Sequence, residues 1–243
     1  MYLKAGLFIL LLGLVPFAVS AGVAHTAFGK PNANGIPATM DSFALRSSGT
    51  GFYVAATGYF VTASHVVDGC AASVVLRADG AQATQLVTID RERDVAVLKA
   101  SPIEYAPALT FGVPSAPARP FTMTRTKELG GLRSRETISA RYIGVIHASN
   151  RLSVAFAVIA GTSVVGGNSG SPLTTNTGDI AGMVGAASTV DPAIGLAIDG
   201  RSIAHVLSDA HIPFVWHETS EPLSASLLDP NSYVFPIACY RAK

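Results

Sequence analysis

Ser169 lies in the stretch Gly167-Asn168-Ser169-Gly170-Ser171-Pro172-Leu173, between two closely spaced glycines. Glycine at position 167 permits the backbone conformation that directs two N–H groups, those of Gly167 and Ser169, toward one point. Gly170 allows another segment of the chain to pass close beside the serine. A simple Gly-Ser turn in a β protein has the same composition. The function of the stretch therefore depends on residues elsewhere in the chain.

The composition excludes several function classes. The chain has 243 residues, of which 49% are hydrophobic and 14% charged, with a formal net charge of +1. This length is enough for one large all-β domain or two small ones that share a core. The near-neutral charge, with no basic stripe, argues against a nucleic-acid partner. We find no metal-ligand spacing and no glycine-rich phosphate loop, so no cofactor is expected.

The N-terminus has the pattern of an export segment. Lys4 precedes the apolar run Ala5–Val15, and Val19-Ser20-Ala21 forms a small-residue cleavage site. We predict a signal peptide over residues 1–21, followed by a mature domain at 25–243. The alternative is an uncleaved membrane anchor, because residues 5–24 are long enough to span a bilayer. Both interpretations predict an exported protein, periplasmic or secreted, that contacts a membrane only if the segment stays uncleaved.

Export gives a meaning to the two cysteines, Cys70 and Cys239. In an oxidising compartment an even number of cysteines favours a disulfide. Closing so wide a loop would contribute about 5 kcal/mol at most in the chain-entropy model. The alternative is a pair of buried free thiols, which pack as small apolar residues.

Short apolar runs separated by turn residues predict β-strands through most of the chain. Their spacing of about ten residues favours antiparallel barrels or a sandwich. We place an N-terminal unit at about 40–106 and a second unit at about 107–200, which begins with a proline-rich connection. A helix is predicted at 202–210, before Pro213, because its apolar residues recur at helical spacing. The aromatic tail 214–243 is expected to pack back on the domain.

Hydrolysis by a serine requires a base, a group that orients the base, and donors for the oxyanion. Ser169 is the candidate nucleophile, with the N–H groups of Gly167 and Ser169 as oxyanion donors. His65 follows an apolar run and is the candidate base. Asp94 opens the apolar run Val95–Lys99, where a buried carboxylate would need a partner such as histidine. The remaining histidines have the pattern of surface or packing residues.

The candidate residues occur in the order His, Asp, Ser, and each lies in a motif that resembles one found in a known family. The motifs are Thr62-Ala63-Ser64-His65-Val66-Val67, the run Asp90–Lys99, Gly167–Leu173 and Ile194-Gly195-Leu196-Ala197-Ile198. The chain resembles the trypsin-like serine peptidases of the chymotrypsin fold, in particular the bacterial HtrA/Deg branch. That resemblance implies an all-β fold of two six-stranded antiparallel β-barrels with a C-terminal helix. It also implies an exported serine endopeptidase that cleaves proteins or peptides through an acyl-enzyme.

The resemblance also implies a specificity pocket. Its base is Ser163, six residues before Ser169, and its wall is Gly185-Ala186-Ala187, with Gly195 on the opposite side. The absence of a carboxylate at position 163 argues against a preference for Lys or Arg, and the small wall residues favour cleavage after small or aliphatic residues.

Three features depart from the family pattern. Ser171 replaces a glycine, and Asp199 stands where the family usually has proline. The residues after the predicted helix do not resemble a PDZ domain, so the chaperone-like regulation of full HtrA proteins is not expected.

Three alternatives to an active peptidase remain open at this stage. The first is a non-catalytic binding module that kept the fold, against which the intact set of three residues argues. The second is a gated form with the three residues present and the oxyanion loop collapsed. The third is an esterase on the same fold.

Overall fold

The computed structural model describes residues 42–103, 109–112, 120–129, 132–147, 155–160, 164–175, 177–188, 191, 194–217 and 229–243. The expected export segment and Ser163 lie outside these ranges. Among the described helices, none has the length and apolar character needed to cross a membrane.

Strands dominate the described residues. In the N-terminal half they are β1 (Phe43–Tyr53), β2 (Tyr59–Ala63), β3 (Ala72–Arg77), β4 (Gly80–Ala83), β5 (Gln85–Asp90), β6 (Val95–Lys99) and β7 (Thr110–Gly112). They continue as β8 (Pro120–Leu129), β9 (Leu132–His147), β10 (Ala155–Ala160), β11 (Pro172–Thr174), β12 (Ile180–Ala187), β13 (Ile194–Asp199), β14 (Val215–His217) and β15 (Val234–Ala242). Two helices, α1 (Ser64–Val67) and α2 (Gly200–Asp209), and a 3-10 turn at Pro230–Ser232 complete the description.

The first sheet is antiparallel, with seven strands in the order β4-β3-β15-β1-β2-β6-β5. Its centre is apolar: Phe52, Phe60 and the run Val95–Leu98 are buried. The C-terminal strand β15 inserts between β1 and β3, so the described end of the tail is an integral strand of the N-terminal sheet. Strands from the N-terminal and C-terminal parts of the described chain therefore build the sheet that carries His65 and Asp94.

The second sheet contains a closed barrel. Six of its strands follow the order β11-β8-β9-β10-β13-β12, and an additional pairing of β11 with β12 closes the ring. Strands β7 and β14 continue beyond β12 in parallel pairings. The predicted fold class, all-β and trypsin-like with a C-terminal helix, is confirmed. The first sheet has seven strands where six were expected, because β15, from the C-terminal part of the chain, joins the six strands β1 to β6.

The predicted disulfide is present. Cys70 and Cys239 are bonded, with their Cα atoms 5.5 Å apart. Cys70 follows α1 by three residues, and Cys239 lies on β15. The bridge therefore fastens the helix that carries His65 to the centre of the first sheet.

The helix predicted at 202–210 is α2, which begins two residues earlier than expected. Its apolar face, formed by Ile203, Val206 and Leu207, packs into the main core. Asp199 is the N-cap: its side chain accepts a hydrogen bond from the N–H of Arg201 at 2.6 Å. Burial raises the pKa of the Asp199 carboxyl. The residue that departs from the family pattern thus begins the C-terminal helix.

Candidate active site

His65 and Asp94 form a hydrogen-bonded pair at the end of the first sheet. His65 Nδ1 lies 2.8 Å from Asp94 Oδ2 and 3.1 Å from Asp94 Oδ1. Because a carboxylate only accepts hydrogen bonds, Nδ1 carries the proton and Nε2 is left as the basic nitrogen. The imidazole is about half exposed, with 49% of its side-chain surface accessible. The pair thus holds the histidine in the tautomer that a general base requires.

The backbone around Asp94 explains how this carboxylate is aimed. Asp94 has a φ of 56°, in the left-handed region that aspartate tolerates better than most residues. Its Oδ1 accepts hydrogen bonds from the Ser64 hydroxyl at 2.8 Å and from the His65 N–H at 3.0 Å. The Asp94 carbonyl accepts the N–H of Ser64, also at 3.0 Å. The start of α1 and the start of β6 are therefore fixed to each other through one residue.

The Asp94 carboxylate increases the affinity of the His65 imidazole for a proton. The hydrogen bond to Asp94 raises the pKa of His65 above its ordinary value of 6.5, while partial burial of the ring opposes this effect. The negative carboxylate stabilises the positive charge that the ring acquires when it takes a proton.

Ser169 lies beside this pair, in the loop before β11. Gly185 is the link between them: an added Cβ at Gly185 would lie 3.8 Å from Asp94 Oδ2, and the Gly185 carbonyl oxygen lies 3.4 Å from Ser169 Oγ. In the described residues, Ser169 Oγ donates to this carbonyl and makes no hydrogen bond with His65. The structure thus brings the three predicted side chains to one place, with the serine hydroxyl turned toward β12.

The loop before Ser169 forms a tight turn. The Asn168 N–H donates to the Val165 carbonyl at 3.1 Å, and the Val165 N–H donates to Asn168 Oδ1 at 2.9 Å. Gly167, the third residue of the turn, has a φ of +89°, as a type II turn requires. Among the described residues, neither the N–H of Gly167 nor that of Ser169 has a hydrogen-bond acceptor. Two free donors on one loop are what an oxyanion site needs.

Close backbone approaches hold this loop against the first sheet. An added Cβ at Gly170 would lie 1.9 Å from the Thr50 carbonyl oxygen, and one at Gly49 would lie 2.9 Å from the Ser169 carbonyl oxygen. The N–H of Thr50 donates to that Ser169 carbonyl at 2.8 Å. The predicted close passage beside the serine is therefore a passage of β1.

The predicted pocket residues are only partly described. Gly185 is buried and lies at a bulge between β12 and β13, and Ala186 and Ala187 are exposed. Gly195 pairs with Ala187 on the adjacent strand. The pairing places Gly195 on the strand next to the predicted wall segment.

Sequence reasoning missed two residues that contact the site. Ser64 donates to Asp94, and Thr50 bonds the nucleophile loop through its main chain. The position of Ser64 directly before the candidate histidine was the available signal. Thr50 gave none, because the loop residues that it bonds, Gly167 and Ser169, lie more than a hundred positions away along the chain. No group of side chains suited to a metal ion occurs within the described ranges.

Comparisons with known proteins bear on the family and the fold of the chain. One curated relative, the uncharacterized protein y4bJ of Sinorhizobium fredii, is 28% identical over 181 residues. That alignment covers 68% of this chain and 25% of the relative, so the chain spans about a quarter of that protein's length.

Solved structures show the fold. The active form of the Rv3671c protease of M. tuberculosis has a TM-score of 0.58 at 24% identity, covering 69% of this chain and 75% of that one. The HtrA-type protease AlgW with a decapeptide also has a TM-score of 0.58 at 24% identity, covering 67% and 51%. A serine endoprotease from Yersinia pestis has a TM-score of 0.55 at 23% identity, covering 69% and 58%.

The sequence model of the trypsin-like peptidase domain matches residues 49–183. This range is more than half of the chain and includes His65, Asp94 and Ser169. The resemblance inferred from the motifs is thereby confirmed: the chain belongs to the trypsin-like peptidase domain family.

Proposed function

We propose that the chain is a serine endopeptidase that hydrolyses peptide bonds through His65, Asp94 and Ser169. The observation that carries the proposal is the 2.8 Å hydrogen bond between His65 Nδ1 and Asp94 Oδ2. Ser169 lies close to this pair, because Gly185 is a neighbour of both Asp94 and Ser169. The site combines a histidine with a fixed tautomer and a half-exposed ring with a neighbouring serine that lies between two positive-φ glycines.

Acylation begins with attack of Ser169 Oγ on the carbonyl carbon of the scissile peptide bond. The hydroxyl proton moves to His65 Nε2, and Asp94 stabilises the resulting imidazolium. The tetrahedral intermediate then collapses, the C–N bond breaks, and the leaving amine takes the proton from His65. Water repeats the sequence in deacylation: it loses a proton to His65, attacks the ester, and releases Ser169 with its proton.

The negative oxygen of the tetrahedral intermediate is bound by the N–H groups of Gly167 and Ser169. Neither N–H has an acceptor among the described residues, which supports this assignment, because a donor already engaged would have to break a bond during the reaction. The neighbouring N–H groups of Asn168, Gly170 and Ser171 are all bonded within the loop or to β12. The N–H groups of Gly167 and Ser169 are therefore the two donors of this loop that can bind the oxyanion.

For specificity we propose cleavage after small or aliphatic residues. Ser163 at the pocket base is uncharged in the sequence. Gly185 and the exposed Ala186 and Ala187 provide a wall with little side-chain volume, which suits a small apolar group. An exported location, periplasmic or secreted, is part of the proposal, and the Cys70–Cys239 disulfide supports it because such bonds persist in oxidising compartments.

One observation favours a gated variant of this function. Ser169 Oγ donates to the Gly185 carbonyl and has to rotate toward His65 before it can react. Catalytic hydrogen bonds in ligand-free enzymes often form only when substrate binds. The gated variant therefore predicts that peptide binding accelerates reaction with small active-site reagents.

The test is labelling of the purified protein with a fluorophosphonate probe, combined with cleavage of a peptide library. Wild-type protein should be labelled and Ser169→Ala should not, and the library should be cut after small or aliphatic residues. Equal labelling of both proteins, or none of the wild type with or without added peptide, contradicts the proposal. Turnover of small esters with no peptide cut would identify an esterase instead.

The reaction should slow as the pH falls below the pKa of His65, which lies above 6.5. Only neutral His65 can accept the serine proton, and Asp94 raises the pKa of His65 from 6.5. The labelling rate should therefore rise with pH through the raised pKa and fall about tenfold per pH unit below it. The measurement is the second-order labelling rate between pH 5 and 9.

A histidine titration by NMR isolates the cause of this shift. The His65 signal is identified by its loss in His65→Gln. Asp94→Asn should lower its pKa, whereas Asp79→Asn, which removes an exposed carboxylate paired with Arg77, should leave it unchanged. A wild-type midpoint at or below 6.5 contradicts the prediction.

A further inference from the structure

Thr50 joins the first sheet to the loop that carries the nucleophile. It is fully buried in β1. Its N–H donates to the Ser169 carbonyl at 2.8 Å, and its hydroxyl donates to the Gly167 carbonyl at 2.9 Å. One residue thus contacts the backbone of both proposed oxyanion donors.

The direction of the hydrogen bonds follows from counting protons. A threonine hydroxyl has one proton and two lone pairs. The proton of Thr50 is used for the Gly167 carbonyl, which can only accept. The Thr126 hydroxyl, 2.8 Å from Thr50 Oγ1, must therefore donate, and the Thr126 N–H lies 3.4 Å from the same oxygen. The chain of donors runs from β8 through Thr50 to the loop.

These bonds act on the two glycines of the turn, which have no side chain to pack. Among the described residues, an added Cβ at either Gly166 or Gly167 would meet no atom within 4 Å. The peptide that follows Gly167 is fixed at both ends, its carbonyl by Thr50 and its N–H by the Val165 carbonyl. The Gly167 N–H belongs to the preceding peptide, which is the central peptide of the turn and whose rotation distinguishes a type I from a type II turn. Because the following peptide is held in place, the direction of the Gly167 N–H is set by rotation about the Gly167 φ relative to an anchored neighbour.

We propose that Thr50 is a positioning residue that keeps the N–H of Gly167 directed at the oxyanion site. The inference rests on the proposed peptidase function. Thr50 touches no reacting atom, so its loss should slow the chemical step and leave substrate binding nearly unchanged.

The test uses the rate of labelling by a fluorophosphonate, whose phosphoryl oxygen occupies the oxyanion site. Thr50→Val removes the hydroxyl and keeps the shape of the side chain. It should lower the second-order labelling rate about 10- to 100-fold, somewhat less than loss of a whole oxyanion donor. Thr50→Ser restores the donor and should stay within about threefold of wild type. The rate constant reports on folded enzyme alone, because unfolded protein lowers only the labelled amount.

Thr174→Val is the matched control, because Thr174 is also a buried threonine whose hydroxyl donates to a backbone carbonyl, that of Thr122. It should lose thermal stability and keep the labelling rate. If Thr50→Val does not fold, Thr50→Ala replaces it with the same expected loss. Equal rates in wild type and the Thr50 variants, or equal losses in Thr50→Val and Thr174→Val, overturn the inference and leave the peptidase proposal intact. Wild-type protein that takes up no label overturns both.

Discussion

Ser169→Ala is expected to lower kcat for peptide hydrolysis by about six orders of magnitude, and Asp94→Asn by about four. Ser169 supplies the bond-forming oxygen, so its loss ends covalent catalysis. Asp94→Asn replaces the acceptor of the His65 Nδ1 proton by a group that can also donate, which favours the wrong tautomer. The measurement is kcat on a peptide taken from the library screen.

The double variant sharpens this prediction. The three residues act on the same proton, so Ser169→Ala combined with Asp94→Asn should be no slower than Ser169→Ala alone. Independent contributions would instead multiply to about ten orders of magnitude. Multiplicative losses would show that Asp94 acts outside the proposed triad.

Ser171→Ala provides a matched control in the same loop. Ser171 is fully buried and its hydroxyl has no partner among the described residues. Removing an unpaired buried hydroxyl should keep kcat within about threefold and leave stability equal or higher. A loss comparable with that of Ser169→Ala would indicate that the serine assignment is wrong.

The core of the fold and the meeting of the candidate residues could be predicted because both have local signals. The apolar run Val95–Leu98 predicts a buried strand, and the Asp94 carboxylate at its entrance predicts a partner. The glycines beside Ser169 predict positive φ, which Gly167 and Gly170 both have. In each case the feature depends on a few residues that are neighbours in the sequence, so the sequence alone predicts it.

The insertion of β15 could not be predicted in the same way. Its pairings with β1 and β3 join residues that are between 162 and 199 positions apart, and the pattern within one segment does not identify its partner strand. The aromatic residues of the tail predicted burial but not location. The disulfide to Cys239 fixes the same segment, so Cys70 was the one distant signal available.

The contacts of Thr50 could not be predicted from the sequence. Thr50 lies between two glycines, and nothing in this context indicates a bond to Gly167. Its partners in the nucleophile loop are distant along the chain, so its role is found only once the first sheet and that loop are in place. Ser64 differs, because its position directly before the candidate histidine was a local signal, although its bond to Asp94 was not predicted.

Gly170→Ala is expected to have the largest effect on stability, because Gly170 lies where the nucleophile loop contacts β1. Gly170 has a φ of +88°, and its added Cβ would lie 1.9 Å from the Thr50 carbonyl oxygen and 2.6 Å from Thr62 Oγ1. Thr62 donates to that same carbonyl at 2.7 Å, so the obstructing atoms are hydrogen-bonded and cannot move away easily. We expect a loss of about 3–5 kcal/mol, which combines left-handed strain with overpacking.

Gly178→Ala separates these two causes. Gly178 has a nearly identical φ of +87°, and an added Cβ there would meet no atom of the described residues within 4 Å. This variant should lose only the strain of the left-handed conformation, about 1–2 kcal/mol. The measurement is urea unfolding with the disulfide intact, comparing midpoints at unchanged slope. Equal losses at the two positions would mean that β1 yields to the added methyl group, and that the approach of Thr50 to the nucleophile loop is not a rigid contact.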